Sequence, residues 1–176
     1  IGEQIRAILH DSANSELVPE AEILLYSADR AQHVAQVIRP ALGRGEIVLS
    51  DRFAESTYAY QGYGRGLDLA VLAGITAVAT GGLKPDLVVY LDIEVNKGLE
   101  RKRKDRAEGK GEWNRMDDQS LAFYDRVRKG YLSMAAQEPK RWLVVDANNA
   151  AQAIHQLIFK HVQALLAAQP QSEIRG

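Results

Sequence analysis

The sequence predicts an α/β fold, a parallel sheet with helices on both faces. Three observations carry that reading: short uninterrupted apolar runs at Ile47-Val48-Leu49, Leu87-Val88-Val89-Tyr90-Leu91 and Trp142-Leu143-Val144-Val145, longer segments of helical periodicity between them, and glycine or proline at the junctions. Runs rich in β-branched residues without polar alternation are what a strand covered on both faces requires. With 176 residues and 46% of them hydrophobic, the chain can bury one core and reads as one domain over 1–168 with a tail at 169–176.

Ile1, Ile5, Ile8 and Leu9 share one helical face, so the first residues already lie within a helix. From Pro19 to Arg39, Ala21, Leu24, Leu25, Ala28, Ala31, Ala35 and Ile38 recur at three- and four-residue intervals, predicting an amphipathic helix with that stripe against the core. Pro40 and Gly43-Arg44-Gly45 separate it from the first strand, at 47–49. A helix over 67–80 is stopped by Gly81-Gly82, and Pro85 resets the chain for the strand at 87–91. A helix through Arg103, a polar glycine-containing stretch and a helix over 117–136 follow. The last strand spans 142–145 and the last helix 150–168. Three strands are fewer than the five or so of a doubly wound domain, which predicts that a leading βαβ portion is missing from this chain.

Composition narrows the function classes. The formal net charge is −1, so bulk charge points to neither nucleic acid nor membrane. Cysteine is absent, which excludes disulfides and thiolate metal sites, and the four histidines show no ligand spacing. No apolar run approaches the ~20 residues of a membrane span. A reducing cytoplasm is compatible with all of this.

Asp51-Arg52-Phe53 follows the first apolar run, at the strand end where open α/β sheets place their ligands. Arginine would give a phosphate a bidentate fork, and the carboxylate could orient it, hold a Mg²⁺ shell or take a hydroxyl proton. A surface salt bridge explains the dipeptide alone equally well. Ser56 with Tyr60 and Thr57 with Gln61 then fall at i,i+4 on adjacent stripes, offering hydroxyl, amide and aromatic groups that suit a nucleobase and its sugar. Tyr26 and Arg30, one turn apart and off the apolar stripe, form a base-reading pair or an exposed pair on a solvated face. Between Arg101 and Lys110, six basic residues face two acids, which fits a solvated helix end or a flap whose arginines neutralise phosphoryl charge. Asp92 and Asp146 end strands, and Asn148 follows in a loop. The glycines at 62, 64 and 66 follow a helix rather than a strand and read as a turn. Nowhere is there a G-x-x-x-x-G-K-[ST] loop, the usual cradle for a donor triphosphate.

Taken in order, Ile1-Gly2-Glu3-Gln4-Ile5-Arg6, Leu24-Leu25-Tyr26-Ser27-Ala28-Asp29-Arg30, Asp51-Arg52-Phe53, Ala59-Tyr60-Gln61-Gly62 with Gly64-Arg65-Gly66, Pro85-Asp86 through Leu91-Asp92, and Arg115 ahead of Phe123-Tyr124 and Tyr131-Leu132 resemble bacterial thymidylate kinase, of the P-loop nucleoside-monophosphate kinases. The resemblance runs from Ile1 to about Ala168. It implies a P-loop kinase-like sheet and transfer of the γ-phosphoryl group of ATP to dTMP with Mg²⁺, giving dTDP and ADP.

By the same resemblance, Tyr26 stacks on thymine where the family usually has Phe, and Arg30 reads the base. Asp51 and Arg52 hold the acceptor phosphate, with Arg6 a second candidate. Ser56 lines the site, Thr57 and Gln61 touch the thymine edge, and Tyr60 favours deoxyribose. The segment 101–115 is the lid, with the catalytic arginine among Arg103, Arg106 and Arg115, and Asn148 lies near adenine. A cytoplasmic homodimer is implied. The resemblance also places the absent first strand between the strands at 47 and 87, so residues 1–176 alone are expected to be neither stable nor active. A degenerate dTMP-binding module and another nucleoside or nucleotide kinase are the competing readings.

Overall fold

The computed structural model describes residues 1–110, 117 and 119–168. In chain order these form α1 (Gly2–His10), α2 (Pro19–His33) running through a π turn (Val34–Ile38) into α3 (Arg39–Gly43), α4 (Ala54–Thr57) running through a second π turn (Tyr58–Gly64), α5 (Leu69–Thr80), β1 (Val88–Asp92), α6 (Val95–Ala107), α7 (Leu121–Gln137), β2 (Trp142–Asp146) and α8 (Ala151–Ala168). β1 and β2 pair in parallel, with Val88 opposite Trp142 and Asp92 opposite Asp146. The parallel pair with helical crossovers is the α/β organisation that the alternating pattern implies.

Caps explain where several helices begin and end. Asp68 accepts from the backbone N–H of Ala70 and Val71 at the start of α5, Glu94 does so from Asn96 and Lys97 for α6, and Ser120 from Phe123 for α7. Gly81 ends α5 in the left-handed region, at φ 58°. Pro40, expected to close the second helix, instead sits near the start of α3, because the π turn at 34–38 lets the chain run on past a residue with no N–H.

Two expectations fail instructively. Ile47-Val48-Leu49 forms no strand: among the described residues nothing pairs with it, and Ile47 and Leu49 are 64% and 90% exposed. A three-residue run has no ladder to hold it extended unless a neighbour supplies one. The second concerns α2, whose expected apolar stripe is only partly covered: Leu24 is 58% exposed and Ala28 and Ala35 are also exposed, Ala21, Leu25 and Ala31 are half-buried, and Ile38 is buried. Its buried face carries Glu22, Ile23 and Ser27, and Val34 and Ile38 continue it through the π turn.

The best-filled core lies where α7 crosses the π turn after α4. Ala59, Phe123 and Val127 are buried there, with Tyr60, Tyr124, Tyr131 and Met134 packed around them. The crossing is close enough to demand glycine on both sides. A Cβ on Gly64 would lie 2.6 Å from the Phe123 ring, and one on Gly130 would lie 2.6 Å from the Tyr63 ring. Arg126 locks the same crossing by donating twice to the Gly64 carbonyl, at 3.1 and 2.8 Å.

Candidate active site

The inward face of α2 approaches the loop that carries Asp51 and Arg52. Arg30 Nη1 donates to Thr57 Oγ1 at 2.8 Å and Nη2 to the Phe53 carbonyl at 3.2 Å, tying the helix to the loop and to the first turn after it. Its guanidinium also stands 5.8 Å from the centre of the Phe53 ring. Burial pulls the Arg30 pKa below its ordinary value, against the opposing attraction of Glu55 and Asp29, yet a guanidinium starts so high that it keeps its charge. Tyr26, half-buried, lies one turn before it on the same stripe.

Arg52 has a backbone φ of 68°, the one described non-glycine residue with positive φ. A β-carbon there costs of order 1–3 kcal/mol, and such strain concentrates where a side chain must be aimed. The strain places the Arg52 guanidinium 4.8 Å from the centre of the Tyr60 ring. Burial opposes its charge, but Tyr60, Tyr131 and Asp51 outweigh that and hold its pKa above the usual value. Tyr60 is itself wedged edge-on against Phe123 and Tyr131, at ring separations of 6.1 and 6.4 Å. Ser56 Oγ and Tyr131 Oη are hydrogen-bonded at 2.9 Å, and burial, then Tyr60, pushes the Tyr131 hydroxyl up to about 12. One wall thus combines a strained cationic arm, an aromatic plate and neutral hydroxyls. It can receive a monoester phosphate attached to a planar base.

The structure brings Arg30, Arg52, Ser56, Thr57 and Tyr60 into one connected cluster, with exposed Asp51 beside it. Gln61 sits one turn beyond Thr57, 3% exposed, and its amide donates to Glu22 Oε1 at 2.8 Å. Arg6 is exposed on α1, which packs along α2. Arg103 and Arg106 are exposed on α6, and Arg115 lies outside the described residues. Asn148 is exposed in the turn after β2, where its N–H and its Nδ2 both donate to Asp146 Oδ1, at 2.8 and 2.7 Å. Arg101 reaches over to the same turn, donating to the Ala147 carbonyl at 2.9 Å. Asp92, at the end of β1, accepts a bidentate pair from Arg128 on α7, at 2.7 and 2.8 Å, so it fastens the sheet to α7. A cavity of about 450 Å³ opens on the opposite side of α4, lined by Glu55, Tyr58, Thr76, Met134 and Arg141; none of the clustered site residues lines it.

The chain matches the thymidylate kinase family model over residues 1–158. The chain belongs to the thymidylate kinase family. It is 49% identical to a thymidylate kinase of Roseiflexus castenholzii, over 98% of this chain and 79% of that protein. It is 50% identical to one of Roseiflexus sp. RS-1, over 96% and 77%, and 52% identical to one of Syntrophotalea carbinolica, over 84% and 69%. Membership in this phosphotransferase family fits a wall built for a nucleoside monophosphate.

Three contributors to the site escaped the reading of the sequence. Tyr131 supports both Ser56 and Tyr60; its signal is the Phe123, Val127, Tyr131 ladder at i,i+4 and i,i+8 on α7. Glu22 shows itself as the first member of the stripe Glu22, Tyr26, Arg30. Arg65, set among glycines, has its Nη2 3.2 Å from Glu22 Oε2 and donates from Nη1 to Gln119 Oε1 at 3.0 Å.

Proposed function

We propose that the protein transfers the γ-phosphoryl group of ATP to the phosphate of dTMP, forming dTDP and ADP. The carrying observation is the Arg30, Thr57, Phe53 junction beside the strained Arg52, which joins a base-reading helix to a phosphate-reading arm in one cluster. Family membership through close relatives named thymidylate kinase supports the acceptor.

On this reading Tyr26 stacks on thymine and Arg30 donates to a base carbonyl. Thr57 and Gln61 lie along the base edge, and Ser56 lines the pocket. Tyr60, held by Phe123 and Tyr131, fills the space a ribose 2′-hydroxyl would need. Arg52 grips the acceptor phosphate as a fork and keeps an oxygen aimed at the donor, with Asp51 orienting that arm and Arg6 on α1 a second phosphate contact. Phosphoryl transfer depends chiefly on such positioning and on neutralising charge over the equatorial oxygens. Arg103, Arg106 and Arg115 are the candidate lid cations, and Asn148 in the turn after β2 stands for the adenine side.

Among the described residues no group of three or more His, Cys, Asp or Glu side chains could hold a metal ion. Mg²⁺ would arrive on the nucleotide phosphates and their waters, with Asp51 the nearby carboxylate able to hold one of those waters, and would supply charge neutralisation there. Among the described residues, no helix is long and apolar enough to cross a membrane. We place the protein in the cytoplasm, acting on free nucleotides. A homodimer is proposed on Leu24 of α2 and on Val71 and Val78 of α5, which are 58%, 60% and 85% exposed.

Arg52→Ala tests the phosphate assignment in the natural polypeptide. Loss of one preorganised donor to the phosphoryl group is expected to lower kcat/KM for dTMP by ~10²–10³-fold. Arg52→Lys should restore little, because an ammonium lacks the planar fork. Unchanged turnover in both variants would remove Arg52 from the site.

A further inference from the structure

We infer that Glu22, a residue to which the proposed activity gives no role, is a positioning residue for acceptor choice: it fixes which atom of the Gln61 amide is turned away from it and thereby sets the preference for a base carrying N3–H. The inference rests on the dTMP reading above and extends it.

Glu22 is wholly buried on the inward face of α2, at 0% exposure. Such a carboxylate requires a counter-charge and hydrogen bonds to its oxygens. Both are present. Gln61 Nε2 donates to Oε1 at 2.8 Å, and Arg65 Nη2 donates to Oε2 at 3.2 Å. Arg65 is in turn held by Gln119 and lies 5.2 Å from the centre of the Phe123 ring, so the carboxylate is clamped between α2, the π turn and the segment leading into α7.

An ionised carboxylate has only acceptors, whereas a glutamine amide has one acceptor and one donor group. Glu22 therefore decides the amide's orientation. Nε2 must face it, and Oε1 is left on the other side as an acceptor. Gln61 stands one turn beyond Thr57, whose hydroxyl accepts from Arg30. An acceptor at that place on the base edge suits thymine or uracil, whose N3 carries a proton, and repels cytosine, whose N3 is itself an acceptor. Replacing Glu22 by glutamine removes the bias, since a neutral amide can pair with either end of Gln61.

The test is steady-state kinetics of Glu22→Gln in the natural polypeptide with dTMP and dCMP as acceptors. The ratio of kcat/KM for dTMP over dCMP should fall about tenfold, the value of one hydrogen bond of ordinary strength. In a Gln61→Ala background the same substitution should leave the ratio where Gln61→Ala put it, as expected of two residues acting as a unit. An unchanged ratio in Glu22→Gln, even with a raised KM for dTMP, would overturn the inference and leave Glu22 a structural ion-pair partner.

A second readout needs no Glu22 variant. In the unsubstituted protein the Gln61 side-chain NH₂ resonances, assigned by their loss in Gln61→Leu, should show one downfield-shifted, slowly exchanging proton. Averaged, rapidly exchanging protons would overturn the inference. If the unsubstituted protein phosphorylates neither acceptor, the dTMP reading has failed, and the resonance still reports on Glu22 and Gln61.

Discussion

The crossing of α7 over the π turn at 58–64 and the stretch 47–49 both bring apolar side chains and are opposite in structure. At the crossing, apolar side chains are buried, glycines permit close approach, and polar groups are paired with Arg126, Arg65 or Glu22. At 47–49 Ile47 and Leu49 are exposed and Val48 is half-buried, and among the described residues β1 has β2 as its one strand partner. Helices satisfy their backbone locally, so a helical region with a few side-chain anchors can be complete within the described residues. A strand's hydrogen bonds lie in its neighbours, so its state depends on what is beside it. The proposed acceptor site takes Arg30, Ser56, Thr57 and Tyr60 from the first kind of region and Arg52 from the loop that follows 47–49.

The contrast can be broken most strongly at its well-packed end. Phe123→Ala removes the ring that contacts Tyr60, Tyr124 and Arg65, and should cost ~3–5 kcal/mol in a denaturant titration. A loss below about 1 kcal/mol would mean that the crossing is not the core.

Comparable in size is Arg30→Ala, which deletes two bonds from a charged donor, each worth ~1.5–3 kcal/mol. Its expected signature is a higher KM for dTMP with weaker discrimination among bases, and a variant that merely melted earlier at unchanged KM would contradict it.

A subtler effect sits at the seam where β1 meets α7. Arg128 hydrogen-bonds the Asp92 carboxylate and holds its pKa below the ordinary carboxylate range. The folded value is the depressed one, so the pair's contribution is full above the unfolded pKa of ~3.9 and is lost as pH falls through the folded value. Asp92→Asn should therefore flatten the acid limb of a stability-versus-pH curve and leave its shape near neutrality unaltered. An identical acid limb would remove the pair from the seam.

The smallest effect belongs to the open end. Leu49→Ser should change stability by no more than ~0.5 kcal/mol, the range of surface substitutions. A cost of several kcal/mol would show that this leucine is covered in solution.

These same regions mark how far the sequence could be read. Periodicity located each long helix and the two paired strands to within a few residues, because those elements carry their pattern locally. It misread 47–49, whose fate is set by neighbours, and it placed the buried face of α2 only in part. A stripe of Leu24, Ala28 and Ala35 announces an apolar face but not what covers it, while Tyr26 and Arg30, legible as a base-reading pair or an exposed one, are half-buried on a face that also carries the buried Glu22. The motif residues at 51–61 were legible as a group since their types and spacing already implied a phosphate, a base and a sugar. Their supports were not: the Glu22, Arg65, Gln119 clamp joins residues 43 and 54 positions apart, and no local spacing announces such a bond.

The central claim, an acceptor site shaped for dTMP, is tested most directly by ranking acceptors. Initial rates of ATP-dependent phosphorylation by the natural polypeptide should be measured side by side for dTMP, dUMP, dCMP and the ribonucleotide of thymine. The expected order places dTMP first, with dCMP reduced through the Arg30, Thr57 and Gln61 edge and the ribonucleotide reduced by Tyr60. Equal rates for dTMP and dCMP, or phosphorylation of none of the four, would contradict it.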